Sequence, residues 1–101
     1  MRLPFDDEHA ALYSVGQVAE MLGVQPAFLR RLDTELVVQP ARSDGGQRRY
    51  SRSEIARVQQ VSAMAEDGMT LAGIRRILEL EAEVVQLQHQ LAELKKRRAV
   101  K

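Results

Sequence analysis

The stretch that decides the fold of this chain lies between residues 13 and 34 and reads YSVGQVAEMLGVQPAFLRRLDT. Ser14 is suited to cap a first helix, because its hydroxyl can accept a hydrogen bond from an N–H of the first turn. The apolar residues that follow recur at the spacing of one helical face: Val15, Val18, Ala19 and Leu22. Gly23 ends this helix, and Pro26 suits the first position of a second one, where its missing N–H is not needed. Two short helices joined by a tight turn predict a helix-turn-helix.

The second helix presents basic residues on the face opposite its core side. At 100° per residue, Leu29 and Leu32 face the core and Phe28 lies at the edge. The residues on the opposite face are Ala27, Arg30, Arg31 and Thr34. An arginine on that face can form a bidentate contact with guanine. It can instead bind phosphate, which positions a protein on DNA but reads no sequence, and both roles stay open.

Residues 41–50 predict a small β-hairpin. Asp44-Gly45-Gly46 is a strong turn signal, and it lies between Arg42 and the run Gln47-Arg48-Arg49-Tyr50. Pro40 ends the short strand that Val37-Val38 would form. The arginines of this hairpin could straddle a phosphate backbone beside the helix-turn-helix.

Two further helices are predicted after the hairpin. The sequence Ser51-Arg52-Ser53-Glu54 is a capping box that opens a third helix, which Asp67-Gly68 closes. The positions of this helix that face inward are Ile55, Val58, Val61 or Ser62, and Ala65. Thr70 caps a fourth helix that runs from Leu71 to about residue 97.

The fourth helix carries an apolar seam. Its residues follow at intervals of 3, 4, 3, 4 and 3: Ile77, Leu80, Val84, Leu87, Leu91 and Leu94. This heptad pattern predicts a dimerisation coiled coil. The alternative, an arm that packs on its own domain, is disfavoured because about 27 residues span roughly 40 Å. One antiparallel register places Glu81 near Lys95. A longer antiparallel overlap brings Arg76 near Arg97, whereas a parallel coil places Arg76 beside Glu81, so the orientation stays open.

Charge is distributed in blocks, although the formal net charge is only +1. Five arginines against two acids give residues 42–57 a local charge of +3. Residues 79–93 carry four glutamates and no lysine or arginine, and residues 95–101 carry five lysines and arginines and no acid. Because fields follow local charge within about 8–10 Å, the basic hairpin fits a polyanion, although a solvated charged face would show the same pattern.

Several sequence segments together resemble the winged-helix DNA-binding domain of MerR-type transcriptional regulators. They are Tyr13–Ala19, Gly23-Val24, Leu29-Arg30, Pro40, Arg48-Arg49-Tyr50 and Gly68–Leu71. The resemblance covers residues 13–78 and implies a dimer joined by an antiparallel coiled coil. It also implies that the second helix lies in the major groove and that the hairpin wing lies on the flanking backbone. The run from Leu71 to Glu81 is most similar to the HspR-like heat-shock repressor branch, whose implied partner is a chaperone acting as co-repressor.

The resemblance implies a set of DNA-binding residues: Ser14, Gln17, Gln25, Ala27, Phe28, Arg30, Arg31, Arg42, Gln47, Arg48, Arg49 and Tyr50. Two departures from the family pattern affect this set. Arg31, Leu32 and Asp33 stand where the family usually has two tyrosines and a glutamate. Leu36 replaces the glycine that usually closes the second helix, and it lacks the freedom of glycine at positive φ. The operator preference of the family therefore cannot be transferred.

Composition excludes other classes of protein. The chain has 101 residues and no cysteine, so disulfides and thiolate metal sites are excluded. The acidic start lacks a signal-peptide core, no run is apolar enough to cross a membrane, and no paired carboxylates or nucleophile–base set suggests an enzyme. Two lone histidines, His9 and His89, make a poor metal site, and no cofactor is expected.

We therefore predict a mostly α-helical winged helix-turn-helix followed by a long coiled-coil helix. Its segments are a flexible tail at 1–12, the DNA-binding domain at 13–78, the coiled coil at 79–98 and a basic end at 99–101. The predicted function is that of a cytoplasmic, nucleoid-associated, dimeric regulator of transcription and repressor, without a small-molecule effector domain, at a palindromic operator. The alternatives are an excisionase-like accessory protein that bends DNA and an interaction adaptor that uses the coil alone.

Overall fold

The computed structural model describes residues 3–100, and its elements follow the predicted order. A 3-10 turn at Pro4–Asp6 precedes four helices and a small sheet. The helices are α1 (Val15–Leu22), α2 (Pro26–Thr34), α3 (Arg52–Glu66) and α4 (Leu71–Ala99), and the strands are β1 (Tyr13–Ser14), β2 (Ala41–Arg42) and β3 (Arg48–Tyr50). The mostly α-helical winged helix-turn-helix with a long final helix is thus confirmed. Within residues 3–100, no helix is both long and apolar enough to span a membrane.

The helix-turn-helix forms as its capping residues predict. The Ser14 hydroxyl accepts a hydrogen bond from the Gln17 N–H at 3.2 Å, and the Gln17 side chain accepts one from the Ser14 N–H at 2.8 Å. Gly23 ends α1 in the left-handed conformation, with φ of 65°, and Pro26 begins α2. This reciprocal cap satisfies two backbone donors and fixes where α1 starts.

The sheet has one more strand than the predicted hairpin. Strands β2 and β3 pair antiparallel, with Arg42 opposite Arg48, and β1 joins the other edge of β3 with Tyr13 opposite Tyr50. Because β1 has only two residues, the alternation that marks a strand in sequence could not reveal it. The sheet order β1-β3-β2 places the start of α1 beside the wing.

Val37 and Val38 form no strand, which corrects the sequence prediction. They are buried in the core, and they belong to the turn that ends α2. The N–H of Val37 donates to the Leu32 carbonyl at 2.8 Å, and the N–H of Leu36 donates to the Asp33 carbonyl at 3.1 Å. These two bonds are those of a Schellman motif, in which the first residue after the C-cap, here Leu36, adopts the left-handed conformation. Leu36 accordingly has φ of 61°, the conformation of the glycine that it replaces.

The core is completed by α3 and the first part of α4. Ser51 and Glu54 form the predicted capping box, and Val58 and Val61 are fully buried, so Val61 rather than Ser62 is the core position. The buried residues of α4 are Leu71, Ile74 and Leu78. Every described side chain beyond Leu78 is exposed, from residue 79 to residue 100.

The N-terminal segment has local structure that its sequence did not predict. Apart from the 3-10 turn, its backbone contacts the start of α3: the Ser53 N–H donates to the Glu8 carbonyl at 3.0 Å, and an Arg52 guanidinium N–H donates to the Asp6 carbonyl at 3.0 Å. The Leu12 N–H donates to the Tyr50 carbonyl at 3.1 Å and so extends the β1–β3 pairing. The predicted tail at 1–12 therefore contacts the domain at Asp6, Glu8 and Leu12, and its first two residues lie outside the described part.

Candidate nucleic-acid interface

An arginine-lined cleft opens where α1, α2 and the wing meet. Its volume is about 360 Å³, and we call it the arginine cleft. Its lining residues are Ser14, Val15, Gly16, Arg30, Arg42, Gly46, Gln47, Arg48 and Arg49. The first turn of α1 forms one wall, and the partial positive charge of a helix N-terminus adds to that of the four arginines. Such a cleft is suited to bind an anion such as phosphate.

The four arginines of the cleft differ in how they are held. Arg42 and Arg48 both bind one carboxylate oxygen of Asp33, at 2.9 and 2.7 Å. Within residues 3–100, neither Arg30 nor Arg49 takes part in an ion pair. One acid thus offsets four bases, so the cleft keeps an excess of positive charge.

Arg31 lies outside the arginine cleft. Its Nε donates to Glu35 one helical turn later at 2.6 Å, and its side chain remains 65% exposed. Pairs of this kind on an exposed helix surface contribute little to stability, and a stronger anion can compete for the arginine. Arg31 thus lies apart from the wing arginines and remains available to a ligand.

The predicted residues near the start of α2 divide into exposed and partly buried ones. Gln25 precedes α2 as its N-cap residue and is exposed, as is Ala27. Phe28 is partly buried against the core, and together with Gln25 it lines a shallow depression near the end of α3. The structure therefore does not bring Phe28 to the arginine cleft. Gln17 is exposed, but its side chain is engaged in the cap of α1.

Tyr50 lies inside the core and not on the surface. The residue is 1% exposed, and among residues 3–100 its hydroxyl has no hydrogen-bond partner. Burial raises the pKa of the Tyr50 phenol above 10.0, with Arg48 acting in the opposite direction. Of the predicted DNA-binding residues, Tyr50 thus lies beneath the wing arginines and presents no group to a ligand.

The structure also identifies site residues that the sequence pattern alone did not indicate. Asp33 is a departure from the family pattern, yet it joins α2 to both strands of the wing. Val15 and Gly16 line the cleft through the start of α1. The sequence did contain a signal for Asp33. Arg42 and Arg48 flank the hairpin turn at positions that pair across the strands, and two like charges placed opposite each other destabilise the strand pair unless an acidic partner lies nearby.

The predicted seam of α4 is exposed beyond the core. Ile77 is partly buried, and the exposed fractions of the next five seam residues, Leu80, Val84, Leu87, Leu91 and Leu94, lie between 42% and 55%. Val85 adjoins this seam at 64% exposure. A continuous apolar stripe of this kind marks an interaction surface.

No metal site was found in the part of the chain that the structure describes. Among residues 3–100, no three His, Cys, Asp or Glu side chains are grouped so that they could hold an ion. His89 is exposed on α4, and His9 lies 3.3 Å from the Ser53 hydroxyl.

Comparison with known proteins identifies the family. The model of the MerR HTH family regulatory proteins matches residues 13–81. The chain belongs to the MerR family. Its relatives are regulators of transcription and not enzymes, and DNA binding is the shared activity of this family.

The relatives of this MerR-family chain include a protein of Streptomyces coelicolor named as heat shock protein HspR. The two are 40% identical over 95 residues, which are 92% of this chain and 63% of that protein. This chain thus spans less than two thirds of that relative's length. A second relative, the HTH-type transcriptional regulator GlnR of Bacillus anthracis, is 23% identical over 90% of this chain and 73% of its own length.

Solved structures of MerR-family regulators share the fold. The N-terminal part of the Bacillus subtilis multidrug transporter activator, MtaN, superposes with a TM-score of 0.62 at 27% identity, over 88% of this chain and 99% of that one. HiNmlR, a MerR-family regulator lacking the sensor domain and bound to promoter DNA, gives a TM-score of 0.60 at 25% identity, over 83% and 79% of the two chains.

Proposed function

We propose that this MerR-family chain is a dimeric repressor that binds a palindromic operator. The observation that carries the proposal is the arginine cleft, where the helix-turn-helix and the wing expose positive charge on one side of the molecule. In a winged helix-turn-helix, the second helix enters the major groove and the wing lies on the adjacent backbone. HiNmlR, similar in fold, is bound to promoter DNA.

In this proposal α2 enters the major groove with its exposed face. Arg31 lies outside the arginine cleft and is the candidate for base contact, because a guanidinium can bind guanine with two hydrogen bonds. Arg30 and Arg49 line the cleft and are the candidates for phosphate contact. Phosphate contacts supply affinity and register, whereas base contacts supply sequence preference.

The exposed seam of α4 supports dimerisation. Five apolar side chains at heptad spacing face solvent in a single chain, and a second copy is the occupant that matches their length and spacing. The acidic block at 79–93 and the basic block at 95–101 favour an antiparallel pair, in which the basic end of one helix lies beside the acidic stretch of the other. Two-fold symmetry of the protein then implies a palindromic operator.

The regulatory role is proposed from the relatives. The 40% identity with a protein named as heat shock protein HspR supports a link to the heat-shock response. A repressor with a chaperone as co-repressor is the finer proposal, which the sequence resemblance to the HspR-like branch implies. As a DNA-binding regulator the protein would act in the bacterial cytoplasm at the nucleoid.

Genome-wide mapping of bound DNA, followed by titration of purified protein on the recovered sites, tests this proposal. We expect one palindromic motif, an affinity about 10³-fold or more above that for random DNA, and a steep loss of affinity with salt. Equal affinity for recovered and random DNA at physiological salt would refute sequence-specific repression. Strong bending of DNA with cooperative spreading along it would instead indicate an architectural protein.

A further inference from the structure

We infer that Asp33 is a positioning residue that holds the wing against α2, the recognition helix of the proposed complex, and so sets the specificity of DNA binding. This inference rests on the proposed function for its DNA measurements, but the contact itself is present in the protein alone. Asp33 lies near the end of α2, Arg42 lies on β2, and Arg48 lies on β3. One side chain therefore joins the helix that enters the groove to both strands of the wing.

The geometry of the hairpin explains why one carboxylate can hold both arginines. Arg42 and Arg48 are direct partners across β2 and β3, so their side chains leave the same face of the hairpin. Two like charges placed opposite each other destabilise a strand pair. Asp33 accepts from Arg42 Nη2 at 2.9 Å and from Arg48 Nε at 2.7 Å through the same oxygen, Oδ2. The carboxylate therefore removes the repulsion that the wing would otherwise contain.

Burial distinguishes this triad from an ordinary surface ion pair. The side chains of Asp33 and Arg48 are 12% and 20% exposed, whereas Arg31 of α2 and Glu35 at the C-cap of α2 are 65% and 41% exposed. Charges that are largely removed from water interact more strongly and are less screened by salt. Arg42 is more exposed, at 49%, but it is also bonded to the Gly46 carbonyl in the wing turn at 3.2 Å.

On DNA, the four arginines of the cleft are therefore expected to act in two different ways. Arg42 and Arg48 are occupied by Asp33, while Arg30 and Arg49 are in no ion pair between residues 3 and 100. While they are bound to Asp33, these two arginines can contact only a phosphate whose position matches the fixed wing. Without Asp33 their side chains could move to reach phosphates at other positions. Asp33 thus favours the operator over random DNA by restricting two of the cations that drive non-specific binding.

The substitution Asp33→Asn tests this role because it removes the charge and keeps the shape. We expect operator affinity to fall relative to random-DNA affinity by about tenfold, which corresponds to about 1.4 kcal/mol. On random DNA, the slope of log K against log salt should steepen by about 0.9 for each released arginine, or about 1.8 for both. Asp33→Glu, which keeps the charge, should restore most of the specificity.

Two controls separate positioning from a change in net charge. Glu20→Gln makes the same charge change in α1, at an exposed residue that takes part in no ion pair within residues 3–100. In an Arg42→Gln, Arg48→Gln background, Asp33→Asn should have no further effect on the specificity ratio, because the groups through which it acts are gone. Equal changes in Asp33→Asn and Glu20→Gln would overturn the inference.

Hydrogen exchange provides a measurement that does not depend on DNA. The Ser43 N–H donates to the Gln47 carbonyl at 2.7 Å, and the Gly46 N–H donates to the Ser43 carbonyl at 2.8 Å, so both report on the wing. In Asp33→Asn these two amides should exchange at least about tenfold faster, while the amides of α3 keep their rates. Unchanged exchange in the wing would refute the positioning role even if DNA binding were intact. Absence of DNA binding by the unsubstituted protein would refute the proposed function, and exchange would still decide the role of Asp33.

Discussion

Leu36 offers the sharpest test of the backbone geometry at the end of the recognition helix. Among residues 3–100 it is the only non-glycine residue with positive φ, at 61°. The left-handed conformation costs roughly 1–2 kcal/mol, because Cβ approaches the following carbonyl oxygen. Glycine avoids this cost but loses about 0.5–1 kcal/mol more than alanine in backbone entropy on folding. From the middle of both ranges, we expect Leu36→Gly to be more stable than Leu36→Ala by about 0.5–1 kcal/mol.

Alanine is the proper reference because the Leu36 side chain is only 55% exposed, so removing its covered part would itself change stability. Both variants remove that side chain beyond Cβ, so the difference between them reports the backbone alone. The free energy of unfolding is measured by urea denaturation followed by circular dichroism, at one protein concentration for both variants because a dimer is stabilised by mass action. In a domain of this size, the expected difference corresponds to about 2–8 °C in Tm.

Ala56→Gly is the matched control, at an exposed position inside α3. There the backbone is right-handed, and glycine should lower stability by about 1 kcal/mol. The two alanine-to-glycine comparisons must therefore have opposite signs. If Leu36→Gly is no more stable than Leu36→Ala, residue 36 is not left-handed and the Schellman motif described above does not form.

Three further predictions concern the core, the seam and the cleft. Tyr50→Phe removes a buried hydroxyl that has no hydrogen-bond partner within residues 3–100, so stability should rise by about 1 kcal/mol with DNA affinity unchanged. Burial raises the pKa of Tyr50 on folding, so above pH 10 the unfolded chain ionises more readily than the native protein and the free energy of unfolding falls. Phenylalanine does not ionise, so the stability advantage of Tyr50→Phe should be constant below pH 10 and should grow above it. A difference in urea midpoint that stays constant above pH 10 would contradict this. Leu87→Asp should give a monomer in light scattering while Gln88→Asp, one residue off the seam, stays dimeric; two dimers would exclude the seam as the interface. Arg30→Gln should reduce the salt slope of DNA binding by about 0.9 for all sequences, and relaxed preference at one base pair would instead make it a base-reading residue.

The sequence was sufficient for most helix boundaries, because these lie at residues whose chemistry is local. Ser14, Ser51 and Thr70 cap with their own side chains, and Gly23 and Gly68 end helices in the left-handed conformation. Such signals act within a few residues, so periodicity and caps together place the boundaries. The long extension of α4 follows in the same way, from the absence of any residue that would stop a helix.

Features that depend on contacts distant in sequence could not be derived in this way. The two-residue strand β1 exists only because Tyr13 and Ser14 pair with residues of β3 that lie 37 and 35 positions later in the chain. Val37-Val38 has the composition of a strand, but the preceding left-handed Leu36 turns these residues into the core. The difference is a tertiary effect, since local β propensity is weaker than burial.

In the candidate site, too, the sequence predicted which side chains lie near each other but not which of them are paired. Sequence patterns brought the arginines to one region, but they could not show which arginines are already paired. Arg48 and Arg49 both line the arginine cleft, yet of these two only Arg48 is bound by Asp33. Arg48 is also the cross-strand partner of Arg42, the other arginine that Asp33 binds. Tyr50 follows in the same strand and is buried beneath them.

The end of α2 is where DNA recognition and dimerisation meet. The Glu35 carbonyl, at the C-cap of α2, accepts a hydrogen bond from the Arg75 guanidinium of α4 at 3.4 Å. Asp33, two residues earlier, binds the wing, so the orientation of α2 is fixed on one side by the hairpin and on the other by the helix that carries the seam. If two copies pair through that seam, these contacts determine the distance between their two α2 helices. The spacing of the half-sites on the operator should equal that distance, so measuring the spacing tests the position of α2 relative to α4.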